Sequence, residues 1–397
     1  MYSGIVQQIF EDHFPTLRGR YPRSHSRIDY AAWSIRTCRT AAQGYHVYAC
    51  PNGDYEEVVY NSCKHRGCPQ CGATETEMWL ERRKEQALDC PYYHVTFTID
   101  HDLHIIWRYN RKHFTGTLMR SSWHSLRELL LDWKYLGGLP GAVSAFQSWG
   151  DEMGEHCHVH MIVTAGGLNT DGRWVTANTD YLLPAPVLAA KFSGKFLDYL
   201  RDAFHPYTCR GQEKPKDQVL RVPDGMRLQQ CLNLLNRLGR KRWHVDIEPA
   251  YEHANGVFKY VGRYLRRGSI SERRIVAYDG KNVTIAYAHR EKHTARTFSL
   301  SAQTFIKRLL NHVPEKGTHV VRNYGLFHPN CLEKLNMARK QLGQGLLVKA
   351  LKPPNVLKTL RQMFKDPTIG RCPRCRTELE TVFISRGGQA SGPKLAA

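Results

Sequence analysis

His158-Val-His-Met-Ile-Val-Thr164 is the stretch on which the reading of this chain turns. Its period-two alternation predicts a strand, with both imidazoles on one face and Val159, Met161 and Val163 pointing to a core. Two same-face histidines leave a metal ion with open positions, which catalysis needs and a structural site avoids. The preceding segment Ala142–Trp149 alternates in the same way. A hairpin around the Gly150–His156 turn, in symmetric register, sets Gln147 opposite His158 on the shared face. Gln147 is thereby offered as a third ligand, with Glu152, Glu155 and His156 as alternatives. A lone His-x-His is more often two half-exposed strand residues, so its weight depends on the rest of the chain.

Working outward, His94-Val-Thr-Phe-Thr-Ile99 alternates as a strand whose His94, Thr96 and Thr98 share one face as candidate DNA contacts, and Leu118–Trp133 between the strands has helical spacing. Residues 166–241 read as a mixed, helical insertion, opening on a turn region at Gly166–Gly172 and closing in a helix over Met226–Leu238. Beyond it come a strand at Trp243–Glu248 and a helix around Phe258–Arg266. A hairpin then turns at Asp279-Gly280, and helices follow around 301–312 and 330–346. Before the strands, Thr74–Leu88 is built of helix formers. The expected division is a zinc- and DNA-binding domain over 1–89, a catalytic α+β domain over 90–290 and a C-terminal region over 291–397. The tail from Gly387 is expected to be disordered.

The chain has 397 residues, with 57 Lys+Arg against 36 Asp+Glu and a formal net charge of +21. That length implies more than one core. The charge argues against an enzyme of small anionic metabolites and for a polyanionic partner, most simply nucleic acid. No apolar run approaches the roughly 18–20 residues of a membrane span. The acidic start MYSGIVQQIFEDHF does not resemble a signal peptide, so a soluble, cytoplasmic and nucleoid-associated protein is expected.

Five of the twelve cysteines, Cys38, Cys50, Cys63, Cys68 and Cys71, fall in one short stretch. In a chain expected inside the cell these are thiols or metal ligands rather than disulfides. Cys68-Pro-Gln-Cys71 has knuckle spacing, and Cys50, Cys63, Cys68 and Cys71 form C-x12-C-x4-C-x2-C, a complete tetrahedral zinc set. Cys38, His46 and His65 are spare candidates. A weaker constellation, His328-Pro-Asn-Cys331 with Cys372-Pro-Arg-Cys375, would close a second zinc site across the C-terminal region.

In Tyr260-Val-Gly-Arg-Tyr264 two tyrosines stand four apart, neighbours on one helix face at about 5–6 Å between Cβ atoms. Arg263, Arg266, Arg267, Arg273 and Arg274 crowd the same region as candidate DNA contacts. A tyrosine attacks a phosphodiester when a metal polarises the phosphate and basic groups hold the backbone. Read alone, the same helix would be amphipathic with two buried tyrosines.

Together these signals resemble the rolling-circle insertion-sequence transposases that carry an HUH (His-hydrophobic-His) nuclease domain and two tyrosines. The resemblance runs from about Cys38 to Gly325. It rests on Cys38-Arg-Thr-Ala-Ala and Asn61-Ser-Cys-Lys-His-Arg-Gly-Cys-Pro-Gln-Cys71, then on His94-Val-Thr-Phe-Thr98, Phe146-Gln-Ser-Trp-Gly150 and His158–Val163. Tyr260–Tyr264, Ile270-Ser-Glu-Arg-Arg-Ile275 and His312–Gly325 follow in the same order. The chain departs from many relatives at Cys50-Pro-Asn-Gly53, where they have Cys-x-x-Cys.

The resemblance implies an α+β fold with a central antiparallel sheet flanked by helices, a small zinc-binding domain before it and a mainly helical C-terminal region after it. It implies that His158 and His160, with Gln147, hold Mg2+ or Mn2+, that Zn2+ is structural, and that Tyr260 and Tyr264 are the nucleophiles. The expected substrate is single-stranded DNA at transposon ends and target. With no G-x-x-x-x-G-K-[ST] in the chain, the single strands would come from a host helicase or the replication machinery. Two other readings compete: an HUH replication initiator or relaxase, and a zinc-dependent DNA-binding regulator without catalysis.

Overall fold

The computed structural model describes residues 4–20, 26–177, 181–252, 268–288, 295–348 and 356–387. Its strands in chain order are β1 (Gly44–Ala49), β2 (Glu56–Tyr60), β3 (Tyr92–Thr98), β4 (Leu139–Trp149), β5 (Glu155–Leu168) and β6 (Trp174–Thr176). There follow β7 (Val245–Tyr251), β8 (Ile275–Tyr278), β9 (Asn282–Ala288), β10 (Ala295–Ser301), β11 (Val321–Gly325) and β12 (Glu380–Arg386).

The central sheet has the order β11-β4-β5-β3-β7, with β6 added against β5, and every pairing is antiparallel. Alternation along the strands gives the sheet two apolar faces. Val95, Phe97, Phe146, Val159, Met161 and Val163 face the long helices Arg111–Leu131 and Ala185–Phe204. Helical spacing brings Phe114, Leu118, Leu126 and Leu129 of the first helix onto that face, and Phe97 meets Phe192 of the second edge-on at 5.0 Å. Tyr92, Val143, Ala145 and Ile162 point the other way, to Trp79 and Leu80 of helix Gly72–Gln86 and Leu335 and Ala338 of helix Leu332–Gln341. The fold is thus the expected α+β arrangement with a central antiparallel sheet and flanking helices.

A further core lies beneath the cysteine-rich module. Val6, Ile9 and Phe10 of helix Ile5–Arg20 meet Phe305, Ile306 and Leu309 of helix Ala302–Asn311, with the β10-β9-β8 sheet alongside.

One expectation changes. Gly166 and Gly167 belong to β5 and not to a turn, because neighbouring strands press on them. A Cβ at Gly166 would meet the Trp174 ring at 2.4 Å, and one at Gly167 the Leu139 carbonyl at 2.5 Å. The turn itself is Asn169–Gly172, closed by Asn169 N–H donating to Arg173 O at 3.0 Å. The expected mainly helical C-terminal region has helices but also supplies a strand to each sheet, β10, β11 and β12. The helix expected around Phe258–Arg266 and the tail from 388 lie outside the described residues. Among the described residues no helix is long and apolar enough to cross a membrane.

Candidate metal centre and cysteine clusters

The β4–β5 register sets Gln147 across from His158, with Thr98 across from His158 on the other side and Thr96 across from His160. His158, His160 and Gln147 are 4%, 7% and 3% exposed, so their polar atoms must be satisfied within the fold. The two Nε2 atoms lie 3.0 Å apart, while His158 Nδ1 donates to the His156 carbonyl at 2.7 Å. His160 Nδ1 stands 2.9 Å from His94 Nε2, and His94 Nδ1 stands 2.9 Å from Glu248 Oε1 on β7. The Tyr251 hydroxyl donates to the other Glu248 oxygen at 2.6 Å, and Thr96 Oγ1 lies 3.3 Å from His160 Nδ1.

In the tautomer with a proton on His160 Nδ1, that N–H donates to His94 Nε2. With His158 Nδ1 donating to the His156 carbonyl, the lone pairs of both His158 and His160 then fall on Nε2. Two ligands about 2.1 Å from one ion at right angles are themselves ~3 Å apart, which the pair matches. The donor set of two imidazoles and an amide oxygen fits a divalent cation with open positions. The sequence offered His94, with Thr96 and Thr98 on one strand face, as a DNA contact, and it did not single out Glu248 or Tyr251.

Tyr260, Tyr264, Arg263, Arg266 and Arg267 lie outside the described residues. Arg273 is exposed, whereas Arg274 donates to the carbonyls of Ala286 at 2.8 Å and Asp151 at 2.6 Å, tying the β8–β9 hairpin to the β4–β5 turn. Asp100, His101 and Asp102 also cluster, but Lys241 at 2.7 Å from Asp100 and Arg237 at 2.8 Å from Asp102 answer their charge.

The cysteines divide differently from their spacing. Cys38, Cys63, Cys68 and Cys71 hold their Sγ atoms within 4.8 Å of one another, with Cys63 and Cys71 at 3.6 Å. Thiolates about 2.3 Å from a tetrahedral zinc sit ~3.8 Å apart, so this quartet, buried except for half-buried Cys63, fits the ion. The Cys63 N–H donates to Cys38 Sγ at 3.5 Å, and Cys71 immediately precedes helix Gly72–Gln86, whose N-terminal dipole favours a thiolate. Cys50 is not among them. It directly follows β1, which pairs with β12, and so it joins Cys372 and Cys375 within 4.8 Å. Sequence spacing cannot reveal a pairing between strands from opposite ends of the chain.

His328 and Cys331 join neither group among the described residues. They flank a short turn before helix Leu332–Gln341, where His328 Nδ1 accepts the Asn330 N–H at 3.2 Å. Of the spare histidines, His46 stacks on Tyr48 and His65 meets Tyr30 edge-on.

Residues 141–334 match a family model described as "Putative transposase", and residues 9–99 match one described as "Transposase zinc-binding domain", of the IS91 type. The chain is 29% identical over 407 residues to "Putative transposase y4qJ" of Sinorhizobium fredii (strain NBRC 101917 / NGR234), an overlap of 98% of this chain and 96% of the relative. It is 28% identical over 312 residues to "Transposase for insertion sequence element IS801" of Pseudomonas savastanoi pv. phaseolicola, covering 76% of this chain and 72% of the relative. No solved structure matches.

Proposed function

Because the chain belongs to the insertion-sequence transposases of the IS91/IS801 family and carries their zinc-binding domain, we propose that it nicks and rejoins single-stranded DNA through tyrosine phosphodiesters. The reading is carried by one observation: the Nε2 atoms of His158 and His160, 3.0 Å apart, with Gln147 in register beside them. His158, His160 and Gln147 would hold Mg2+ or Mn2+, which supplies charge neutralisation at a scissile phosphate. A proton held on His160 Nδ1 by His94, with Glu248 behind it, would turn the Nε2 lone pair of His160 to the ion.

The Tyr260 or Tyr264 phenol oxygen attacks phosphorus, its proton leaves, and the 3′-oxygen departs as a hydroxyl. The product is a 5′-phosphotyrosine that conserves the phosphodiester bond, so rejoining needs no ATP. A second tyrosine four residues on permits a second cleavage while the first strand is still attached. A cleft lined by Lys112, Arg120, Lys214 and Arg322 suits a phosphate backbone. Single strands would come from a host helicase or the replication machinery in the nucleoid.

The test is a nicking assay on single-stranded DNA bearing the element's ends, with Mg2+ or Mn2+ against EDTA. Wild type should form a metal-dependent, SDS-resistant protein–DNA adduct, and Tyr260→Phe with Tyr264→Phe should abolish it. An adduct that survives the double substitution would refute the assignment.

A further inference from the structure

We propose that Cys50, Cys372 and Cys375 bind a second zinc ion, which fastens β12 to the N-terminal sheet. The three Sγ atoms lie within 4.8 Å of one another, with those of Cys50 and Cys375 at 3.3 Å although 325 positions separate them. Two loops of like construction face each other here. Cys50-Pro-Asn-Gly53 is closed by Cys50 N–H donating to Tyr55 O at 2.8 Å. Cys372-Pro-Arg-Cys375 is closed by Cys372 N–H donating to Thr377 O, also at 2.8 Å. Each loop has proline after its first cysteine and one left-handed residue, Gly53 at φ 77° and Arg376 at φ 65°. Counted from the first cysteine, Gly53 stands at the sequence position of Cys375, and the left-handed residue of the Cys372 loop falls one position later.

Three thiolates leave one corner of a tetrahedron for water or another small donor, the coordination of an open zinc site. Zinc displaces the three thiol protons to solvent as the three Zn–S bonds form. Asn52 Nδ2 donates to Cys375 Sγ at 3.5 Å, a contact that steadies a thiolate.

The sheet has reason to need such a clasp. Val382, Phe383 and Ile384 of β12 are 59%, 50% and 58% exposed, and the buried side chains of β1 reduce to Tyr45 and Val47. With so little apolar area covered, strand pairing alone is a weak attachment for the far end of the chain. The proposal is independent of the nuclease reading and is tested without DNA.

The experiment is zinc analysis of the full-length protein, purified under reducing conditions with zinc present. Wild type should hold one equivalent more than Cys375→Ser, while Cys38→Ser should lose the other equivalent and keep this one. Cobalt titration of wild type should show thiolate-to-metal charge-transfer bands filling in two phases, an arm that requires no variant to fold. The proposal is overturned if wild type holds only the zinc that Cys38→Ser removes. A Cys50–Cys375 disulfide in the reduced preparation would also overturn it.

Discussion

Nε2 of His94 lies 2.9 Å from Nδ1 of His160, and Glu248 grips the far side of the His94 ring at the same distance. A carboxylate, an imidazole and a candidate metal ligand are thus strung in one line across strands β7, β3 and β5.

Removing either relay member should loosen the ion without removing a ligand. His94→Ala and Glu248→Ala are expected to weaken Mn2+ binding by about ten- to a hundredfold, the usual cost of losing a partner behind a metal-bound histidine. Electron paramagnetic resonance of free Mn2+ reads the affinity directly, and saturating metal should restore much of the nicking. Unchanged affinity in both variants would mean that His94 only fills space.

How far the sequence discloses this centre depends on the range of each contact. Gln147 opposite His158 was legible because a short hairpin turn leaves few registers, and alternation then assigns the face. His94 was visible as a strand residue, but its contact with His160 depends on β3 pairing with β5, across an intervening long helix. Glu248 comes from a strand some hundred and fifty residues further on and carries no local signal. The cysteines mark the same limit. Knuckle spacing identifies Cys68 and Cys71 as a pair, yet only the β1–β12 pairing assigns Cys50 to Cys372 and Cys375.

The quartet Cys38, Cys63, Cys68 and Cys71 is embedded in apolar packing, since Cys38, Cys68 and Cys71 share a core with Ile9, Phe10 and Phe305. Chelation should therefore unsettle that whole core. Cys38→Ser, or wild type stripped by a strong chelator, is expected to unfold at a temperature lower by several °C, read by circular dichroism. Adding zinc back should reverse the loss for wild type and not for the variant. A chelator-insensitive midpoint would count against a structural ion here.

Arg120 and Arg322 line the basic cleft with Lys112 and Lys214. If the phosphate backbone runs there, Arg120→Ala and Arg322→Ala should each weaken single-stranded DNA binding across all sequences and reduce the slope of log affinity against log salt by about one. Fluorescence anisotropy at several salt concentrations measures this. Slopes identical to wild type would move the strand's path to another surface.

Acid stability should depend on His312, which ties the end of helix Ala302–Asn311 to the β4–β5 turn. Its Nε2–H donates to Met153 O at 3.0 Å and its Nδ1 faces Ser148 Oγ at 3.1 Å, both contacts of the neutral ring. Burial pushes its pKa from 6.5 down to about 4, against a smaller opposing pull from the Met153 carbonyl. Between those values the unfolded chain binds a proton that the folded chain does not, so stability is lost as pH falls from 6.5 towards 4. The lowering corresponds to about 3 kcal/mol at 1.36 kcal/mol per unit. Urea unfolding at stepped pH should show that decline in wild type. In His312→Asn the protein should start less stable at neutral pH and fall less steeply through the same window, because the residue that titrates is gone. Parallel curves for the two proteins would place the acid sensitivity on another group, and would mean that the imidazole is already protonated, or exposed to water, in the folded chain.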